Sequence, residues 1–238
     1  MAREWGGALA SVLVVVVGSP RPGSPPRSVA SDPGRIEGVA SIAPVLTGTR
    51  ARIRVYDEPG TPPPKRERDG QALANVVIYL NAAPALRGVT PPIAHAAAAL
   101  HQRDETFVPH VLPVVVGTTV EFTNDDPLFH DVFSLSSVRA FDLQRFPQGT
   151  SRTVAFSKPG VVEVFCHIHA DMSAYILVLG NTFFVSPDSS GHFALDGVPP
   201  GDYQMVAWYE RSHPVVTRVH VDAGRTTRQD VRIPIPAS

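Results

Sequence analysis

Cys166, His169 and Met172 stand in a Cys-x2-His-x2-Met spacing within the segment Cys166-His-Ile-His-Ala-Asp-Met172. That spacing sets a thiolate, an imidazole and a thioether on one short loop leaving the end of a strand. Soft sulfur donors beside imidazole suit copper, and one Cys and two His near a plane with a long axial Met make a trigonal copper site. The second imidazole must come from elsewhere, and His130 is the best candidate. It follows the turn cluster Asn124-Asp-Asp-Pro127 at the start of another strand, and in a sandwich the strand ends meet at one pole. Metal charge keeps deprotonated a thiol whose free pKa is about 8.5. Taken singly, each residue has an ordinary explanation: a buried apolar Cys, a Met filling core, a His hydrogen-bonded at a strand end. The four donors in this order, on a chain with a single Cys, point to a metal.

The composition narrows the alternatives. The 238 residues carry 21 Lys and Arg against 22 Asp and Glu, so no general charge attracts nucleic acid or an anionic membrane. One Cys excludes an intrachain disulfide, a Cys-x-x-Cys site and c-type haem attachment. With 43% apolar and 18% charged residues the body is globular, and 24 Pro and 18 Gly suit short strands joined by turns. At the start, Arg3 and Glu4 precede an apolar run from Ala8 to Val17, and Ser28-Val-Ala30 supplies small residues. A run this short matches the core of a secretory signal rather than a membrane span, so residues 1–30 are expected to be an export signal. The mature chain is expected to have no membrane span, in the periplasm or outside the cell.

The elements that must hold the donors read as strands. Alternation of apolar and polar residues marks 35–42, 51–56 and 75–80. The Pro-rich polar stretch between Asp57 and Gln71 reads as a loop, and the alanine-rich 94–101 as a short helix. Strand signals then become dense: 111–117, 118–123, 128–134, 150–156, 161–166 and 173–179, with no helix between them. A second group follows from Phe183 to Ile233. The fold class is all-β, with the dense run forming a sandwich.

Phe107-Val-Pro, Val114-Val-Val-Gly-Thr-Thr-Val-Glu-Phe122, Asn124-Asp-Asp, His130-Asp-Val and the Cys166 loop resemble the cupredoxins of the plastocyanin, amicyanin and azurin group. The loop is most similar to that of amicyanin, and 107–179 as a whole to bacterial plastocyanin-like proteins labelled as methylamine-utilisation proteins. The resemblance implies a Greek-key sandwich in which His130, Cys166, His169 and Met172 ligate one copper ion, Cu(I) or Cu(II), used for one-electron transfer. Two positions depart from the pattern. Many cupredoxins carry Asn after the first ligand His, where its amide ties the ligand loops together. Asp131 stands there instead, and an ionised carboxylate only accepts hydrogen bonds. His167 follows the Cys, and alternation points it away from the Cys166 side, toward the surface or backing the site. His110 lies near the same pole but is not taken as a ligand.

The flanks, Gly38-Val-Ala with Ala74–Leu80 and Asp188–Tyr203, resemble the two halves of a carboxypeptidase-regulatory-like β-sandwich. The expected domains are an N-terminal β segment over 31–101, the cupredoxin over 102–180 and a C-terminal β domain over 181–238. Two arrangements are open. Either a second small sandwich is split around the cupredoxin, or two domains follow one another with 75–80 as a cupredoxin strand. The expected function is an electron carrier and not an enzyme, with transient redox protein partners such as a c-type cytochrome or a dehydrogenase. Copper binding for delivery is the alternative, weakened by a content of three Met with no Met-rich run.

Overall fold

The structure, a computed structural model, describes residues 32–44, 69–81, 86 and 98–235. The expected export signal, the expected strand at 51–56 and most of the Pro-rich stretch lie outside them. The described chain is all-β. It opens with β1 (Gly34–Pro44), a short helix α1 (Asp69–Ala74) and β2 (Val77–Leu80). Nine strands follow: β3 (Ala99–Arg103), β4 (Thr106–Val108), β5 (Val111–Val115), β6 (Thr119–Asn124), β7 (His130–Ser134), β8 (Phe141–Phe146), β9 (Ser151–Ala155), β10 (Gly160–Cys166) and β11 (Ser173–Leu179). The chain ends with β12 (Phe184–Val185), β13 (His192–Val198), β14 (Gly201–Trp208), β15 (Val215–Val221), β16 (Thr226–Arg228) and β17 (Val231–Ile235).

The nine central strands form two sheets, ordered β5-β11-β10-β7-β8 and β4-β3-β6-β9. Their facing sides alternate buried and exposed residues, and the buried set, including Leu100, Val120, Phe122, Val132, Phe146, Val164 and Ile176, is one continuous core. Cys166 and Met172 belong to this core, so the pole carrying the donors is continuous with packed side chains.

The other strands build a second two-sheet body. β1 lies between β13 on one side and β16 and β17 on the other, while β12-β2-β14-β15 forms the facing sheet. Ile36, Ile78, Leu80, Phe193, Met205, Tyr209 and Ile233 fill the space between. Strands from before the nine-strand block therefore pair with strands from after it. β2, which one sequence reading placed among the cupredoxin strands, pairs with β12 and β14. The two bodies join through the outer faces of β5 and β11 and of β2, β12 and β14. Val77, Val111, Leu177, Leu179, Phe184 and Trp208 make a third core there, and Trp208 meets Tyr175 edge-on with ring centroids 5.4 Å apart.

Three local expectations are corrected. Residues 99–101, expected as the end of a helix, lie in β3, which pairs with β4 and β6 and buries Leu100 and Gln102. Alanine's helix preference is a weak prior that sheet pairing overrides. Residues 69–71, expected as loop, begin α1, which buries Ala72 and packs the partly buried Leu73 against the second body. β8 was not expected at all, since its exposure pattern is broken by a bulge opposite β7.

Trp208 is 8% exposed at the join between the bodies. Trp208→Ala is expected to cost about 3–5 kcal/mol in urea unfolding, the range for losing a buried large aromatic. A cost within about 0.5 kcal/mol, as for a surface position, would contradict the packed join.

Candidate metal centre

His130 begins β7 and Cys166 ends β10, and these strands are antiparallel neighbours with Cys166 opposite Val132. Alternation along each strand turns His130, Val132 and Cys166 to the buried side. The chain then makes a tight loop. Met172 N–H donates to the His169 carbonyl at 3.1 Å and Cys166 N–H to the Met172 carbonyl at 3.3 Å, so the loop closes on itself before β11 begins. This closure folds His169 back over Cys166.

The outcome is a triangle of donor atoms. Cys166 Sγ lies 3.8 Å from Nδ1 of His130 and 3.8 Å from Nδ1 of His169, and the two Nδ1 atoms are 3.2 Å apart. For a triangle with those edges, a point equidistant from all three atoms lies about 2.1 Å from each; metal bonds to imidazole nitrogen and thiolate sulfur are about 2.0–2.3 Å. His130 is fully buried and Cys166 is 6% exposed. Three electron-rich atoms facing one another, two of them on buried residues, fit a bound cation, and the thiolate–imidazole set fits copper. Met172, 1% exposed, sits in the same core as Cys166 with its backbone tied to both Cys166 and His169. Of the sequence-expected donors, the structure thus brings His130, Cys166 and His169 into one cluster and places Met172 in the loop that closes it.

Asp126 is the residue that sequence reasoning missed. It is 5% exposed, and its Oδ2 lies 2.9 Å from Nε2 of His130. A carboxylate on Nε2 takes the ring proton there and leaves the Nδ1 lone pair turned toward Cys166 and His169. Asp126 is itself held. Its Oδ1 accepts the Asp104 amide at 2.6 Å and its Oδ2 the Glu105 amide at 2.9 Å. Both donors sit at positive φ, 53° and 55°, in the β3–β4 turn. Burial by itself would raise the Asp126 carboxyl, but the amides of Glu105 and Asp104 and the His130 ring outweigh it and hold the pKa below the usual value. Asn124 fixes the same loop. Its Nδ2 donates to the carbonyls of Leu128 and Phe146, and its Oδ1 accepts the Asp126 amide at 2.9 Å. The sequence signal was the Asn-Asp-Asp run itself, legible as a turn but silent on which carboxylate faces inward.

The ligand loops are tied by backbone. The His167 amide donates to the Asp131 carbonyl at 2.9 Å, so the connection survives whatever side chain follows His130. His167 is exposed and stacks flat on Phe133, away from the Cys166 side. His110 pairs with Glu210 at 2.7 Å and meets Tyr175 edge-on, so it belongs to the join between the bodies. The side chain of His169 is 20% exposed, with Nε2 3.9 Å from Glu105. Around it Leu128, Phe129 and Ile168 are exposed at 44%, 55% and 38%.

No family model matches the chain, and no curated protein matches it. Among solved structures it is similar to a purple cupredoxin from Nitrosopumilus maritimus, at 24% identity and a TM-score of 0.32, over 34% of this chain and 98% of that one. It is similar to the Cu(I) form of an amicyanin variant at 21% identity and a TM-score of 0.33, over 37% of this chain and 86% of that one. It is also similar to the copper-containing nitrite reductase of Thermus scotoductus at 27% identity and a TM-score of 0.35, over 42% of this chain and 27% of that one.

Proposed function

We propose that this chain is an exported, mononuclear blue copper protein that carries single electrons between redox partners. The observation that carries the reading is the triangle of Cys166 Sγ and the two Nδ1 atoms, closed at the buried end of the core. Copper bound there would supply one-electron chemistry between Cu(I) and Cu(II). The residues His130, Cys166 and His169 would hold it, with Met172 supplying a further soft donor from the same loop.

The chain's own part is to keep that arrangement still. His130 is clamped through Asp126 to two backbone amides, and the Cys166 loop is closed by Met172 and tied to β7 through His167. Donors fixed in this way move little when the charge they surround changes. His169, on the rim among Leu128, Phe129 and Ile168, offers an edge through which a partner approaches the site. Such apolar rims suit the small, transient interfaces of redox encounters, here with a protein such as a c-type cytochrome or a dehydrogenase. The reading assigns no catalytic residue. Among the described residues no helix is long and apolar enough to cross a membrane.

Copper titration followed by visible absorption and EPR is expected to give an intense thiolate-to-Cu(II) band. That band saturates at one copper per chain and is lost in Cys166→Ser. Copper uptake without the band, or the same band in Cys166→Ser, would overturn the reading. Slow redox cycling together with rapid Cu(I) handover to an acceptor protein would favour delivery instead. Asp126→Asn is expected to weaken copper binding by about 10–100-fold, as for other partners of a ligand His. It is also expected to raise the reduction potential, because loss of the carboxylate disfavours Cu(II) more than Cu(I). Chelator competition and voltammetry measure both, and an unchanged potential would reduce Asp126 to a packing role.

A further inference from the structure

On the face of β7, β8 and β10 turned away from the thiolate cluster, Asp131, Asp142 and His167 bring two carboxylates and an imidazole within 4.8 Å of one another. The same two dipeptides build both clusters. In His130-Asp131 and Cys166-His167 the first residue faces the core and the second faces outward, as strand alternation requires. The β7–β10 pairing sets Cys166 opposite Val132 and continues into the bond from the His167 amide to the Asp131 carbonyl. Asp131 and His167 are therefore neighbours across the strands.

Asp142 arrives through the bulge. From Asp131 to Phe133 β7 advances by two residues while β8 runs three, from Arg145 to Asp142, with Gln144 at φ 57°. Asp142 thereby lies opposite Phe133 on the outer face. Its Oδ1 accepts the Gln144 amide at 2.8 Å, which orients the exposed carboxylate. The His167 ring lies on Phe133 with centroids 3.7 Å apart and planes 11° from parallel. Arg145, the register partner of Asp131, lines the surface beside Leu128, Phe129 and His169.

A separate observation concerns Asp131. Its Oδ1 is buried and has no hydrogen-bond partner. A buried carboxylate oxygen left without a donor is costly, and such groups are nearly always satisfied by a proton donor or a cation. We propose that Asp131, Asp142 and His167 form a second cation site, back to back with the thiolate cluster, that takes a divalent first-row ion such as Zn(II). Carboxylate and imidazole donors suit Zn(II), Fe(II) or Mn(II) and do not suit Cu(I), which takes sulfur. Zinc bonds to such donors are about 2.0–2.2 Å, so the cluster needs only to tighten, which the exposed Asp142 and His167 side chains permit. Three protein donors leave a fourth position to water, as in open rather than closed zinc sites. The ion would cross-link β7, β8 and the start of the ligand loop.

The test is a zinc titration of the full chain, by calorimetry and bound-metal analysis, after loading with one equivalent of copper. One further zinc per chain is expected at micromolar affinity or tighter, with at least a tenfold loss in Asp142→Asn and in His167→Ala. The Cu(II)–thiolate band is expected to stay intact in Asp142→Asn. The same comparison in Cys166→Ser, with and without Asp142→Asn, should differ by one bound zinc. That arm keeps the result independent of whether the thiolate cluster binds copper. Equal zinc stoichiometry and affinity in the folded variants, or binding only at millimolar zinc, would overturn the proposal.

Discussion

Everything distinctive about this chain depends on holding three electron-rich atoms face to face at one pole of the packed core. Sγ of Cys166 and the Nδ1 atoms of His130 and His169 all carry lone pairs that only a shared proton or a cation draws together, and their approach is set by the strands and loop that carry them. The β7–β10 ladder imposes it for His130 and Cys166, and the closed loop from Cys166 to Met172 imposes it for His169. The buried Asp126 carboxylate then selects which nitrogen of His130 faces inward. That carboxylate is tolerable in the interior because two amides and a ring N–H satisfy it, and its depressed pKa expresses the same balance.

The second body bears on this rigidity through β11. This strand leaves the ligand loop at Ser173, pairs with β10 on one side and β5 on the other, and turns its outer face to Trp208 and Phe184. His110 and Glu210 add a polar contact across the same join. A strand packed on both faces and paired on both edges has few ways to move, and the loop emerging from it inherits that restraint.

Much of the core fold was legible in short stretches of sequence. Residues 150–156 read as a strand because apolar and polar residues alternate, and 161–166 and 173–179 because they are short apolar runs; the strands found are Ser151–Ala155, Gly160–Cys166 and Ser173–Leu179. The failures have identifiable causes. At 94–101 a run of alanines leading into β3 imitates a helix in the sequence, while the pairing edges offered by β4 and β6 lie elsewhere in the sequence. At 141–146 a bulge breaks the alternation that would have revealed the strand. Asp126 was read as a turn residue because a turn residue and a buried carboxylate clamp look alike until the amides of Asp104 and Glu105 are seen beside it. Asp131 looked like the loss of a loop tie because the sequence shows side chains, whereas the tie runs through its backbone carbonyl.

By itself the amino-acid sequence determined the chemistry on offer: a lone Cys with His and Met at short spacing, on strands whose alternation dictates which neighbour faces in. Local spacing suffices there, because donors on one loop cannot move far apart. The tertiary structure decided which distant imidazole and which carboxylate complete the cluster, and that the outward partners of the same dipeptides gather on the opposite face. These depend on strand register and on a bulge, which are set by the packing of whole sheets and leave no mark on any short stretch of residues.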